Sequence, residues 1–177
     1  MKLLLIDAYA LIYRSYYAFI RNPRVNSKGM NTSAIFGFIN SLDDALRRLT
    51  PTHAAIAFDP AGPTFRHEAF PEYKAQREKT PEDLHASVPY IRRFIEARHI
   101  PLLEVARYEA DDVIGTIATQ AAQEQFDVYM MTPDKDYGQL VTDRIFQFRP
   151  RHGGDYETMG TTEVLAKYGL TDVRQVV

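Results

Sequence analysis

The chain has 177 residues, of which 45% are hydrophobic and 12% aromatic, so it can bury the core of one ordinary domain. Its 21 basic and 23 acidic residues give a net charge of −2, which excludes a histone-like polycation or an acidic tail. The absence of cysteine excludes a disulfide scaffold, an iron–sulfur site and thiol catalysis, and leaves oxygen or imidazole to hold any metal. No apolar run approaches the ~20 residues that span a bilayer, so we expect a soluble, cytoplasmic protein.

Short apolar runs alternate with segments in which apolar residues recur every three to four positions. The runs are typical of buried strands, and the periodic segments are typical of amphipathic helices. In chain order the pattern predicts a strand over 3–6, helices over 8–20 and 33–49, a strand over 54–58, a helix over 88–98, a strand over 101–105, a helix over 110–124, and strands over 128–133 and 144–148. This alternation predicts an α/β fold with a mostly parallel, doubly wound central sheet flanked by helices.

Charge is segregated along the chain. Residues 8–42 contain four basic residues and no acidic one, whereas residues 108–136 contain seven acidic residues and one lysine. Such asymmetry is typical of a chain that holds both a cation and an anion. Ordinary solvated faces explain it equally well.

Acidic residues directly follow three of the predicted strands. Asp7, Asp59 and Asp134 stand at the carboxyl ends of these strands, and in an open α/β sheet ligands bind at that edge. A further acidic run precedes the helix that is predicted from residue 110. The candidate metal ligands are Asp7, Asp59, Glu109, Asp111, Asp112, Asp134 and Asp136. So many carboxylates repel one another unless divalent cations lie between them, and an all-oxygen set favours Mg²⁺ or Mn²⁺.

Each acid also has a purely structural explanation. Asp7 or Asp59 alone is most simply a helix N-cap. The acids at the start of the predicted helix suit the positive end of its dipole, and those around Lys135 suit a solvated turn. The coincidence of acids at the ends of several strands favours a metal site. A Mg²⁺ site beside a cationic segment is an arrangement used for phosphodiester hydrolysis.

Four blocks of sequence, in order, resemble one known family. They are Leu5-Ile6-Asp7; Asn31-Thr32-Ser33-Ala34-Ile35-Phe36-Gly37-Phe38; Phe58-Asp59 with Phe65-Arg66-His67-Glu68 and Glu72-Tyr73-Lys74-Ala75-Gln76-Arg77; and Tyr108-Glu109-Ala110-Asp111-Asp112 with Thr132-Pro133-Asp134-Lys135-Asp136-Tyr137-Gly138-Gln139-Leu140. Over essentially its whole length, the chain resembles the 5′-nuclease domain family found at the N-terminus of bacterial DNA polymerase I. A single acidic pair has no specificity, whereas four ordered blocks are specific.

The resemblance implies a PIN-like, flap-endonuclease-type α/β fold with a helical arch, at about residues 62–87, that is mobile without DNA. It implies a 5′-3′ exonuclease and 5′-flap endonuclease of replication and repair, in a bacterial cytoplasm, beside the polymerase part of the same parent chain. Its substrates would be 5′ flaps, nicked duplex ends and RNA primers, cut with two ions of Mg²⁺ or Mn²⁺. The seven acids match the family's metal ligands. Lys74, Arg66 and Arg77 match its basic catalytic residues, and Tyr73 matches an aromatic residue beside the lysine that could stack on a displaced base.

The basic segment supplies candidate contacts with nucleic acid. Arg24 and Lys28 lie in the polar loop 22–29, and Arg14 lies in the first predicted helix. Such a loop suits phosphate binding, which is sensitive to salt, and it also suits an ordinary connection. With Tyr73, these three residues are the predicted nucleic-acid contacts.

After Val177 the family continues into two further metal-site aspartates and a helix–hairpin–helix element. The resemblance therefore predicts that this chain keeps the first metal's ligands, lacks part of the second site, and cleaves weakly or not at all. Two alternatives stay open. One is a non-catalytic nucleic-acid- or protein-binding module of the same fold. The other is a phosphotransfer receiver domain, which needs an acidic pair after its first strand, where this chain has Asp7 alone.

Overall fold

Residues 1–76, 79–151 and 154–176 are described by the computed structural model. The strands are β1 (Lys2–Asp7), β2 (His53–Ala57), β3 (Leu102–Leu103), β4 (Asp127–Met131), β5 (Ile145–Pro150) and β6 (Tyr156–Met159). The helices are α1 (Ala8–Ala18), α2 (Ser33–Leu49), α3 (Phe65–Ala69), α4 (Glu82–Ala97), α5 (Ala110–Gln123) and α6 (Thr161–Tyr168). Lys135–Leu140 and Val173–Gln175 form 3₁₀ helices.

A six-stranded sheet, with the order β3-β2-β1-β4-β5-β6, organises these elements. Its strands pair in parallel, except that β6 is antiparallel to β5. In the central strand β1, Ile6 is paired with Ile56 of β2 on one side and with Met131 of β4 on the other. The carboxyl ends of these three strands therefore reach the same edge of the sheet. The predicted mostly parallel, doubly wound sheet is confirmed.

Helices cover both faces of the sheet. Leu4 and Ile6 of β1 belong to a core with residues of α1, α2 and α4, whereas Leu3 and Leu5 belong to a core with residues of α5 and α6. Neighbouring side chains of a strand point to opposite faces, which is why a strand covered on both sides is apolar throughout.

Most predicted elements are confirmed, and the differences have local causes. α2 has the predicted bounds. α4 begins at Glu82 rather than at residue 88, directly after Pro81, and the acids in its first turn suit the positive end of its dipole. The predicted strand over 101–105 is reduced to two residues, because its neighbour β2 ends at Ala57. The periodicity predicts neither β6 nor α6, since four and eight residues are too few for a clear period. α3 lies in the segment for which the resemblance implies a helical arch.

The segment expected to form an arch contains α3, turns over residues 71–76 and the start of α4. Lys74 lies in these turns with a left-handed φ of 59°, which is uncommon for a residue with a side chain. Arg77 and Glu78 lie outside the described residues. None of the helices in the described ranges has both the length and the apolar content that crossing a membrane requires.

Candidate functional site

A cleft of about 610 Å³ opens at the carboxyl edge of the sheet. Asp7 is the last residue of β1, Asp59 lies shortly after β2, and Asp134 lies shortly after β4. Glu109 immediately precedes α5. Five acids from these four segments line the cleft: Asp7, Asp59, Glu109, Asp111 and Asp134. The topology brings them together, because parallel strands all end at this edge.

A second cavity, of about 590 Å³, shares part of its lining with the cleft. Asp112 and Asp136, the two predicted metal ligands that do not line the cleft, line this cavity. Asp111, Asp134 and Tyr137 line both spaces. The seven predicted ligands therefore surround two adjoining cavities.

Asp7 both caps a helix and lines the cleft. Its Oδ1 accepts a hydrogen bond from the backbone N–H of Ala10 at 3.0 Å, and its Oδ2 accepts one from the Tyr137 hydroxyl at 3.3 Å. Burial raises the pKa of Asp7 to about 6, and the nearby carboxylates of Asp59 and Asp111 add to the rise. The capping role is thus present, but capping does not account for the other negative charges gathered around this carboxylate.

Asp59 connects the end of β2 to the start of α5. Its Oδ1 accepts a hydrogen bond from the backbone N–H of Ala110 at 2.7 Å, one of the donors that a helix leaves unpaired at its first turn. In the same turn the pKa of Asp111 is raised, first by burial and then by the charges of Asp112 and Glu109. Negative charge is therefore concentrated where β2 meets α5.

Two cations and a tyrosine bind the acids at the start of α5. Arg66 donates to both carboxylate oxygens of Asp112, at 2.6 and 2.8 Å, and these bonds hold the pKa of Asp112 below its usual range. Lys74 Nζ donates to Oε2 of Glu109 at 2.7 Å, and the Tyr73 hydroxyl donates to the same oxygen at 3.1 Å. Glu109 is only 4% exposed, so these donors offset the cost of burying its charge.

Asp134 and Asp136 lie in a tight turn after β4. Asp134 Oδ1 accepts a hydrogen bond from the backbone N–H of Asp136 at 3.0 Å, and the backbone N–H of Asp134 donates to Thr132 Oγ1 at 3.2 Å. Both aspartates are exposed. The turn thus presents two carboxylates to the cavities from the β4 side.

The donor set fits a hard divalent cation, because it consists of carboxylate oxygens. Within residues 1–76, 79–151 and 154–176, however, no group of three His, Asp or Glu side chains is arranged to hold an ion. Two of the acids are instead paired with side chains, Asp112 with Arg66 and Glu109 with Lys74. An ion that uses these oxygens must therefore displace or rearrange the cationic side chains.

The predicted nucleic-acid contacts other than Tyr73 lie apart from the cavities. Arg14 Nη2 donates to the backbone carbonyl of Arg151 at 2.6 Å. The Arg24 guanidinium lies 5.5 and 5.3 Å from the centres of two phenylalanine rings, and Lys28 belongs to an exposed turn. None of Arg14, Arg24 and Lys28 is in the lining of either cavity. The predicted catalytic residue Arg77 lies outside the described residues.

Tyr137 is a site residue to which the sequence argument assigned no role. It is 3% exposed, lines both cavities and donates a hydrogen bond to Asp7. Burial and the charge of Asp7 raise the pKa of Tyr137 far above its usual range. Its place in the sequence, directly after an acidic turn that follows a strand, is the signal that could have identified it.

Comparison with known sequences identifies a family. The family of 5′-3′ exonuclease N-terminal, resolvase-like domains matches residues 2–169. The chain is 42% identical to DNA polymerase I of Bacillus subtilis strain 168 over 172 residues, which cover 96% of this chain and 19% of that protein. The chain therefore spans about a fifth of the length of the first curated relatives it matches.

Solved structures share the fold. The T5 5′-exonuclease with bound zinc superposes with a TM-score of 0.71 at 18% identity, covering 99% of this chain and 64% of that one. The catalytic core of Rad2 in complex with DNA substrate superposes with a TM-score of 0.57 at 18% identity, covering 98% and 51%. The PIN-like flap-nuclease fold is therefore confirmed, as is the resemblance found in the sequence blocks. The chain belongs to the family of 5′-3′ exonuclease N-terminal, resolvase-like domains.

Proposed function

We propose that this chain is the 5′-nuclease part of a bacterial DNA polymerase I and acts as a divalent-metal-dependent 5′-3′ exonuclease and 5′-flap endonuclease. The observation that carries the proposal is the cleft, where Asp7, Asp59 and Asp134 from three strand ends share the lining with Lys74. Carboxylates that bind a hard metal, next to cations that bind phosphate, are the combination that phosphodiester hydrolysis requires. The family match supports the same reaction.

Mg²⁺ or Mn²⁺ is the proposed cofactor. The proposed ligands, direct or through water, are Asp7, Asp59, Glu109, Asp111, Asp112, Asp134 and Asp136. When bound, such ions provide a nucleophile from water at neutral pH and offset charge on the leaving oxygen. The raised pKa of Asp7 supports the proposal, because it shows that the ionised form is unfavourable in the metal-free cleft. A divalent cation between the carboxylates would favour their ionised forms. The T5 5′-exonuclease, which has the same fold, binds a divalent metal.

The proposed catalytic cations are Lys74, Arg66 and Arg77. Arg66 presents a planar pair of donors, which suits two oxygens of one phosphate as well as it suits Asp112. Lys74 presents a compact charge beside Glu109. When phosphate enters, these two side chains exchange a carboxylate partner for the charge that builds on the phosphate oxygens. Tyr73, whose ring centre lies 5.0 Å from Lys74 Nζ, is the proposed stacking surface for a displaced base.

The proposed substrates are 5′ flaps, nicked duplex ends and RNA primers paired with DNA, and the proposed partner is the polymerase part of the parent chain. Rad2, a neighbour in fold, is known in complex with DNA substrate. Arg14, Arg24 and Lys28 are the proposed contacts with phosphates away from the scissile bond. The two phenylalanine rings beside Arg24 support its guanidinium by cation–π contact. Each such contact contributes about one unit to the log–log salt slope of binding.

A cleavage assay on a 5′-flap DNA tests the proposal. The chain, in molar excess over an end-labelled flap substrate, is incubated with Mg²⁺, with Mn²⁺ or with EDTA. We expect weak cutting near the base of the flap with metal only, and none from the Asp59→Asn variant. Asp143→Asn removes an exposed acid just before β5, at the opposite edge of the sheet, and should cut like the parent. Cutting in EDTA, or parent-like cutting by Asp59→Asn, would contradict the proposal.

A non-catalytic nucleic-acid-binding module of the same fold is the second candidate. One observation favours it: in the described part of the chain no three acids or histidines surround a position for an ion. A binding module would retain flap DNA without cutting it, and its thermal midpoint would not respond to millimolar Mn²⁺. A metal-binding nuclease should be stabilised by Mn²⁺ through linkage. Fluorescence anisotropy and thermal unfolding on the same samples separate the two candidates.

A further inference from the structure

After the last residue of β4, side chains of β5 donate hydrogen bonds to the backbone where the ladder between the two strands has ended. The ladder between β4 and β5 ends at the pair Met131–Phe148, immediately before the acidic turn. The next three carbonyl oxygens, those of residues 132–134, are bound by side chains. Gln147 Nε2 donates to the first of these oxygens, at 3.3 Å, and to the third. Arg149 Nη2 donates to the second, at 2.9 Å.

The burial of Gln147 shows how closely it is fitted to this turn. Gln147 is 0% exposed, and burying an amide is unfavourable unless it makes hydrogen bonds. Its orientation is fixed chemically, because a flipped amide would place Oε1 against two carbonyl oxygens. Among the described residues, Oε1 of Gln147 has no hydrogen-bond partner. The hydrogen bonds of this side chain are therefore the two that Nε2 donates to the turn.

Arg149 lies two residues further along β5, on the same face of the strand as Gln147. Besides the carbonyl oxygen of Pro133, its guanidinium is 3.4 Å from the Tyr168 hydroxyl of α6. The bond to Pro133 needs only one donor. A lysine could therefore retain it, whereas a methionine of similar length could not.

Neither Gln147 nor Arg149 lines the two cavities, so both act through the turn that they hold. That turn carries Asp134, which lines both cavities, and Asp136, which lines the second. We propose that Gln147 and Arg149 are positioning residues that fix the backbone of residues 132–134, so that the Asp134 carboxylate is held where a divalent ion binds. This inference rests on the proposed function. Hydrogen bonds behind a ligand typically change metal affinity 10- to 100-fold when they are lost.

Mn²⁺ binding to the 177-residue chain tests this inference without depending on cleavage. Free Mn²⁺ is counted by electron paramagnetic resonance to give a dissociation constant, and the thermal midpoint is recorded without metal. Arg149→Met should weaken Mn²⁺ binding about tenfold or more, and Arg149→Lys should restore most of the affinity. Arg151→Met is the matched control, because Arg151 is exposed and pairs with half-buried Glu157 on the same hairpin, away from the turn. This variant should bind Mn²⁺ like the parent. Gln147→Leu should weaken binding at least as much as Arg149→Met.

The outcomes separate this inference from the proposed function. If the parent chain binds Mn²⁺ and Arg149→Met binds it with equal affinity, that result would overturn the positioning role alone. A parent chain that binds no Mn²⁺ would overturn the proposed metal dependence and the inference together. Because Gln147→Leu could fail to fold, the Arg149 pair decides the question. A fall in thermal midpoint without a loss of Mn²⁺ affinity would show a structural role only, and would also overturn the inference.

Discussion

Arg66 and Asp112 form a two-bond ion pair between residues 46 positions apart in the sequence, with donor–acceptor distances of 2.6 and 2.8 Å. Lys74 is paired with Glu109 in the same region. Acids that we propose as metal ligands are thus neutralised by cations that we propose to act on phosphate. The ion pairs and the catalytic arrangement compete for the same groups, and this competition has measurable consequences.

Replacing Arg66 by glutamine should lower the free energy of unfolding by about 1–2 kcal/mol at pH 7 in EDTA, because Asp112 loses two charge-assisted hydrogen bonds. The folded-state pKa of Asp112 lies below its usual value of 3.8. The stabilisation of the folded state by ionised Asp112 is therefore complete above about pH 4, and it is lost as the pH falls through the folded-state pKa. The difference in free energy of unfolding between the parent and the Arg66 variant should therefore be smaller when urea unfolding is repeated at pH 3.

A suitable control is Arg47→Gln. Arg47 pairs with Asp44 on α2, but its side chain is 76% exposed, and such pairs contribute little. Equal losses of stability in the Arg66 and Arg47 variants would contradict the importance of the pair with Asp112.

Replacing Lys74 by methionine should change metal binding and cleavage in opposite directions. Removing a positive charge beside Glu109 lowers repulsion of an incoming divalent ion, so Mn²⁺ should bind a few-fold more tightly at pH 7.5. Cleavage of flap DNA should fall, because the charge that faces the phosphate is lost. Electron paramagnetic resonance and the flap assay measure the two effects. Lys79→Met, at a neighbouring exposed position, should change neither; weaker Mn²⁺ binding by the Lys74 variant would refute the competition.

Asp7 should make the metal-free chain less stable as the pH rises. Its folded-state pKa of about 6 lies above the usual 3.8, so the folded state holds a proton that the unfolded state has already released. Stability should therefore fall between about pH 4 and pH 6. Asp7→Asn keeps a good N-cap and removes the ionisation, and should raise the free energy of unfolding at pH 7 by about 1–3 kcal/mol. Urea unfolding in EDTA measures this; no gain at pH 7, or the same gain at pH 4, would contradict the account.

The close crossing of α1 and α2 should tolerate no added methyl group at Gly37. A Cβ there would lie 2.7 Å from Ser15 Cβ, so the helices would have to separate. Gly37→Ala should lower the free energy of unfolding by about 1–3 kcal/mol, despite the better helix propensity of alanine. At Gly62 an added Cβ would meet no atom of the described residues within 4 Å, so Gly62→Ala is the control. Calorimetry that finds both variants as stable as the parent would rule out the tight crossing.

The position of the acids could be predicted from the sequence because topology determines it. Asp7, Asp59 and Asp134 follow apolar runs, and parallel strands end at one edge. α2 could be predicted to its terminal residues, because 17 residues give several turns of clear period. These features depend on local pattern and on one rule of sheet topology.

The partners of the acids could not be predicted in the same way. Lys74 is 35 residues from Glu109, and the segment around it is almost balanced in charge, so its composition favours a plain exposed helix. Only the family resemblance directed attention to it. Gln147 gives still less signal, because one glutamine in a strand pattern normally suggests an exposed position, whereas the structure buries it to bind carbonyl oxygens. Long-range pairs of this kind depend on packing that no local pattern encodes.

An anomalous-scattering map from a Mn²⁺-soaked crystal of the chain tests the central claim most directly. The account predicts at least one strong peak in contact with carboxylate oxygens of the cleft, among them those of Asp7, Asp59 or Asp134, with Arg66 or Lys74 moved from its acidic partner. Asp43 and Asp44, the two acids of α2, border a separate cavity and serve as an internal comparison. Peaks only there, or none in the cleft, would contradict it.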